Sequence, residues 1–413
     1  MENFIFIGRQ PILDRKKKIA AYEILYRKSF EDFAQIESDN VATSRVLINI
    51  FNNIGIQKLS SGKKTFINVN YDLLFYDIFD FIPTQNIVLE ILENTPADET
   101  LIKRIKTLKE KGFEFALDDF LITADSVKLL PYVDYVKIDL LQTHGLGLEK
   151  TTEFLKKYNK KLIAEKVEDY DTFDRTYHIG FDLFQGYFFA QPMIISHKRF
   201  DPYEVTLLNL LKELNTENPS IDKIENIIKA DVHMTYNLLK FVNSAYFSLK
   251  SKIKNIRHAI MMLGAHNLKI WVLLMLYADA KMGGIDSPLL ETALLRGKLL
   301  ETLTKLKSED NNLSEMAFLT GVLSLLDVLL GIPKEEVLSD LNIDEEMKKA
   351  LINEEGYLGE MLKLCYLLEM EKFDELKKNL KEKNISLKDF YKAEEEAIFF
   401  VENIKRQVLK GVN

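Results

Sequence analysis

The chain reads as two units of different class, an α/β unit over residues 1–200 and an all-α unit over residues 201–413. Three observations predict this. Up to about residue 200, short β-type runs alternate with amphipathic helical patterns, which implies a parallel sheet. Seven such runs recur at nearly regular spacing, and no dinucleotide-binding glycine fingerprint accompanies them, which favours a closed, TIM-like (β/α) barrel over an open doubly wound sheet. After Phe200 the strand signals stop and helical periodicity takes over, so the boundary falls near residues 195–203, where SHKRFDP interrupts both patterns.

In chain order the β-type runs are IAAYEILYR at 19–27, TFINVNYD at 65–72, NIVLEILEN at 86–94, FEFALDDF at 113–120, DYVKIDL at 134–140, KLIAEKVED at 161–169 and LFQGYFFAQP at 183–192. Between them ETLIKRIKTLKEKG, ending at Gly112, and EKTTEFLKKY carry apolar residues three and four apart, as helices facing a sheet require. Gly145 and Gly147 lack the third glycine of a dinucleotide site and predict a turn. The second half repeats the helical pattern from PYEVTLLNLLKELN at 202–215 to LSEMAFLTGVLSLLDVLLGI at 313–332 and on to the C-terminus. Ser287 followed by Pro288 predicts a helix cap with proline at the first helical position, and Ser314 is expected to cap the next helix.

A net charge of −8 argues against a binder of nucleic-acid polymers, which would show a basic stripe, and the basic run at 14–18 predicts a solvated hairpin turn. The single cysteine, Cys365, excludes an internal disulfide and a thiolate metal cluster and is expected in a core. The start MENFIFIGRQ has no signal-peptide pattern, and the longest apolar run, residues 270–278, is too short to span a bilayer. The expectation is a cytoplasmic protein without membrane insertion.

The β-type runs end in polar residues: Glu23, Asn68, Glu90, Asp118 with Asp119, Lys137 with Asp139, Glu165 and Gln185. In a βα barrel those strand ends converge on one face, where active sites are built. Gathering so many acids is costly unless cations neutralise them. Carboxylates and an amide oxygen suit Mg²⁺ or Mn²⁺, as one ion or two, and no histidine ends a strand to favour zinc. Two such ions can clamp a phosphoester displacement, with Lys137 neutralising phosphoryl charge.

These residues resemble an EAL-type cyclic di-GMP phosphodiesterase domain joined to an HDOD domain. Gln10-Pro11-Ile12, Glu23-Ile24-Leu25 with Arg27, Asn68, Glu90 and Glu93, Asp118-Asp119-Phe120, Lys137-Ile138-Asp139, Glu165 to Glu168, and Gln185-Gly186-Tyr187 with Pro192 follow in that family's order. The resemblance implies that Glu23, Asn68, Glu90, Asp118 and Asp119 are metal ligands and that Lys137 and Asp139 assist at the metal and phosphate. It makes Glu165 the general base and puts Gln10, Arg27, Gln185 and Pro192 on the side of the dinucleotide. The implied reaction opens cyclic di-GMP to linear pGpG.

The chain departs from the family at Leu121-Ile122-Thr123-Ala124, where a glycine-rich loop is usual, and at Lys166, where glycine follows the base. Leucine and isoleucine resist the backbone angles glycine permits, so strain is expected in that loop. Lys166 is expected to pair with Glu165 or to meet a phosphate. The alternative reading is a catalytically degenerate EAL domain that acts as a cyclic di-GMP receptor or protein-interaction scaffold. From residue 201, LLKFVNSA at 238–245 and IRHAI at 256–260 resemble an HDOD domain, an interaction module related to metal phosphohydrolases. Every histidine lies at or before His266 and Asp327 stands alone, so a second metal site is not expected there. The implied partner is another protein or a second copy of the chain.

Overall fold

The computed structural model describes residues 5–28, 60–191 apart from 61, 81, 94 and 144, then 202–243, 253, 255–278 and 284–406. Eight strands close into a barrel: β1 (Ile5–Asp14), β2 (Ile19–Lys28), β3 (Lys64–Val69), β4 (Ile87–Ile91), β5 (Glu114–Leu117), β6 (Tyr135–Asp139), β7 (Lys161–Glu165) and β8 (Leu183–Gln185). Seven are the predicted runs. The eighth, β1, is additional, and it runs antiparallel to both neighbours, β2 and β8. The turn joining β1 to β2 is the expected hairpin. The Asp14 amide donates to the Lys18 carbonyl at 2.8 Å, and its carboxylate accepts from the amides of Lys16 and Lys18.

Inside the barrel one residue from each of seven strands forms an apolar layer: Ile12, Ala21, Phe66, Val88, Ala116, Tyr135 and Ile163, with Leu183 of β8 packed against it. Side chains alternate across a strand, so residues two positions away on each strand share that inward face. Counted toward the C-terminal mouth, those residues are Gln10, Glu23, Asn68, Glu90, Asp118, Lys137, Glu165 and Gln185. For antiparallel β1 the same step runs backward along the chain, from Ile12 to Gln10. A polar layer therefore sits directly on an apolar one.

The outer helices begin at side-chain caps that satisfy their first amides. Asp98 caps α1 (Glu99–Glu110), Thr123 caps α2 (Ala124–Leu129) and Asp169 caps α4 (Tyr170–Ile179). Gly145, at φ +53°, turns the chain into α3 (Leu146–Lys156) as expected, but Gly147, expected in the same turn, lies inside that helix.

Backbone contacts divide the chain into Met1–Gln191 and Pro192–Asn413. Within the second unit all described elements are helical. Among them are α5 (Pro202–Leu214), α6 (Ile221–Lys229), α7 (Val232–Val242), α8 (Ile256–Tyr277), α9 (Pro288–Lys307), α10 (Asn311–Leu323) and α11 (Leu326–Leu330). Then follow α12 (Lys334–Asp340), α13 (Glu345–Asn353), α14 (Gly356–Glu369), α15 (Phe373–Glu382) and α16 (Leu387–Ile404). Ser287 caps α9 with Pro288 at its first position, as expected. Ser314 does not cap α10; Asp310 does, because its carboxylate reaches the amides of Asn312 and Leu313 while Ser314 lies one turn inside the helix.

At the crossing of α9 and α10 a Cβ on Gly321 would lie 2.4 Å from the Gly297 nitrogen, so the close approach requires glycine. Cys365 is buried, as predicted, and so is Trp271. Arg296 is 1% exposed, yet its guanidinium makes a two-pronged bond to Glu369 at 2.8 and 2.6 Å, donates to Ser324 and lies over the Tyr366 ring. Two stretches, Ile256–Tyr277 and Asn311–Leu330, have the length and apolarity of membrane spans, and 56% and 78% of their apolar windows are buried inside the protein.

Candidate functional site

The polar layer converges on one ammonium. Lys137 Nζ lies 3.0 Å from Glu23, 2.8 Å from Glu90, 3.1 Å from Asp118 and 2.8 Å from Glu165, contributions from β2, β4, the end of β5 and β7. Its side chain is 1% exposed, so four carboxylates from four strands share a cation that water hardly reaches. Glu23 also accepts from Asn68 Nδ2 at 2.9 Å and Gln185 Nε2 at 2.7 Å, and Gln185 donates in turn to Gln10. Glu23, Asn68, Glu90, Asp118, Lys137, Glu165, Gln185 and Gln10 are thus one cluster.

The acids are not equivalent. Burial opposes the charge of Glu23, but the Lys137 ammonium and the hydrogen bonds from Gln185, Lys137 and Asn68 outweigh it and hold that carboxyl below its ordinary value. Glu90 is completely buried and neither oxygen has a well-angled hydrogen bond. Burial, reinforced by the Glu23 charge and only partly offset by Lys137, raises its carboxyl well above the ordinary range. Burial also raises Asp118 and, with Lys137 opposing and Asp118 and Glu23 adding, pushes Glu165 up to about 8. Burial would lower Lys137, but the carboxylates of Glu165, Glu23, Glu90 and Asp118 raise it well above its ordinary value.

A second group lies beside the first. Asp139 is 3% exposed, and it accepts from the Leu141 amide at 2.7 Å, Gln142 Nε2 at 3.1 Å and Lys166 Nζ at 2.6 Å. Those bonds overcome burial and lower its carboxyl. The expected pairing of Lys166 with Glu165 is therefore replaced by one with Asp139. Nothing in the sequence pattern singles out Gln142 or the Leu141 amide. Asp119 has a left-handed backbone at φ +42°, and burial and the Asp118 charge raise its carboxyl.

The altered loop is not strained in the expected way. No residue from Phe120 to Ala124 has positive φ, because the left-handed step falls on Asp119. Thr123 and Ser126 form a reciprocal capping box at the start of α2, which closes the loop and leaves Leu121 and Ile122 exposed. Arg27 lies on β2 with its side chain outside the described residues, and Pro192 falls outside them altogether.

The donor set suits a hard divalent cation. Asn68 Oδ1 and Glu90 Oε2 are buried without a partner, an arrangement a cation would satisfy, whereas Glu90 Oε1 already meets Lys137. Among the described residues no three acids, histidines or cysteines already form a cage, since the Lys137 ammonium stands between the carboxylates.

The EAL domain family matches residues 18–192 and the HDOD domain family residues 202–332. The chain is 36% identical over 380 residues to the protein YuxH of Bacillus subtilis, covering 90% of this chain and 92% of that one. It is 30% identical over 414 residues to the cyclic di-GMP phosphodiesterase CdgJ of Vibrio cholerae, covering 98% and 94%. The crystal structure of the Bacillus subtilis YkuI protein, an EAL-domain protein in complex with cyclic di-GMP and calcium, is 20% identical. It covers 55% of this chain and 70% of its own with a TM-score of 0.38, a likeness too distant to bear on the site. Extended identity to proteins matched along nearly their whole length, with an EAL match on the barrel and an HDOD match on the helices, places the chain in the EAL–HDOD family.

Proposed function

We propose that the barrel hydrolyses cyclic di-GMP to linear pGpG with a divalent cation, Mg²⁺ or Mn²⁺, and that the HDOD unit binds a protein partner or a second copy of the chain. One observation carries the catalytic reading: Glu23, Glu90, Asp118 and Glu165 surround Lys137 beside Asn68 Oδ1 and Glu90 Oε2, which are buried without a partner. Similarity to CdgJ along nearly the whole of both chains, at 30% identity, supports the same substrate.

Glu23, Asn68, Glu90 and Asp118 would hold the cation, with Asp119 at the rim. The cation would supply Lewis-acid charge for the phosphoryl oxygens and acidify water. Glu165, on Lys137 at the end of β7, would accept a proton from the attacking water once its carboxyl is ionised. Lys137 holds the acids together and places positive charge beside the developing phosphoryl charge. Gln10 and Gln185 fix the orientation of Glu23, and Arg27 and Pro192 would face the dinucleotide.

The receptor or scaffold reading rests on Leu121 and Ile122 standing where a glycine-rich loop is usual, and the absence of left-handed backbone from Phe120 to Ala124 weakens it. Packing of the two long apolar helices inside the second unit supports a cytoplasmic protein. The test is incubation of the purified chain with cyclic di-GMP and Mg²⁺ or Mn²⁺, with products separated by chromatography and Glu23→Ala alongside. Formation of pGpG by the wild type alone supports the hydrolase. Binding without product would assign a receptor, and neither would leave a scaffold.

A further inference from the structure

The two groups of acids at the barrel mouth differ in what their oxygens still lack. In the first, Asn68 Oδ1 and Glu90 Oε2 are buried without a partner, while Glu90 Oε1 meets the Lys137 ammonium. In the second, both Asp139 oxygens are engaged, Oδ1 by the Leu141 amide and Oδ2 by Gln142 and the Lys166 ammonium. Lys166 also acts electrostatically on Asp119 and, across to the first group, on Glu165. It does so from a left-handed backbone, φ +55°, a conformation that glycine adopts freely and lysine adopts at a cost. Each group therefore has a lysine, but only the first has oxygens still seeking a cation.

We propose that the Lys166 ammonium takes the place of a second divalent cation, so that the barrel holds one metal ion per chain, at Glu23, Asn68, Glu90 and Asp118. The inference rests on the metal-dependent reading above and sets its stoichiometry. With both Asp139 oxygens engaged, the Lys166 ammonium beside Asp119 and Glu165 already supplies the positive charge that a second ion would bring there. Because the Lys166 side chain is 44% exposed, its removal opens the second group to solvent without emptying the core.

The experiment is a Mn²⁺ titration of the full chain followed by electron paramagnetic resonance, on wild type, Lys166→Gly and Lys166→Met. The glycine variant relieves the left-handed backbone, and the methionine variant keeps the bulk but removes the charge. One bound ion in the wild type and two in both variants supports the proposal. Two ions in the wild type overturn it while leaving metal dependence intact, as does one ion in all three proteins. No bound ion in any of them overturns the metal-dependent reading itself and the inference with it.

Discussion

Lys137→Met tests the centre of the site because it removes the charge while nearly keeping the volume. The lost ammonium is 1% exposed and lies within 3.1 Å of four carboxylates. Removing one partner of a buried ion pair costs about 3–5 kcal/mol, and the carboxyls that burial already raises can take up protons, which puts this case toward the lower end. For a barrel of this size that predicts a fall in melting temperature of roughly 6–20 °C. A divalent cation should restore part of the loss, about 2.7 kcal/mol at a hundredfold excess over its dissociation constant. The assay is thermal unfolding followed by circular dichroism, for wild type and variant, in EDTA and in Mg²⁺ or Mn²⁺. The variant should melt well below wild type in EDTA and gain more from metal than wild type does. An unchanged melting temperature in EDTA would refute the reasoning, since it would mean that the acids are neutralised some other way.

Glu165→Gln should lower kcat about 10²–10⁴-fold while cyclic di-GMP still binds, as checked by product chromatography alongside calorimetry. Arg296→Met should destabilise the helical unit by about 3 kcal/mol, because Glu369 keeps some access to water once its partner is gone; urea unfolding reads the shift. Burial holds the pKa of His266 below its ordinary 6.5, although Glu315 and Glu301 oppose that and Lys269 and Lys305 add to it. The unfolded chain then binds more protons below about pH 6.5, so the stability this residue contributes is full above that pH and falls as the solution is acidified. The urea midpoint of wild type should therefore drop between pH 7.5 and 5.5 more than that of His266→Leu, and equal drops would contradict the assignment.

How far the sequence revealed this structure depended on whether the information was local. Seven strands were legible because each carries a compact apolar run, and the polar layer was legible because it lies two residues beyond an inward-facing apolar position. Strand β1 was not, since Gly8, Arg9, Gln10 and Pro11 interrupt its apolar run and resemble a loop. Its pairing with β2 follows from the local hairpin, and its pairing with β8 is set by barrel closure. Lys166 was recognised as a departure, but its target depended on a left-handed backbone and on groups at Leu141 and Gln142 that no periodicity brings together. Ser314 was mistaken for a cap because Asp310 offers the same chemistry one turn earlier.

The antiparallel seam of the barrel also orders its assembly in time. The β1–β2 hairpin pairs residues close in sequence, whereas β1 meets β8 only by joining Ile12 to Gln185 across nearly the whole unit. Contacts of such long range form late, because chain entropy must be given up before they stabilise anything. Gln185, which donates to Glu23, arrives with that last strand. A chain still emerging from the ribosome therefore has most of its acids but not the bond that orients the first of them, and the site is completed only as the barrel shuts.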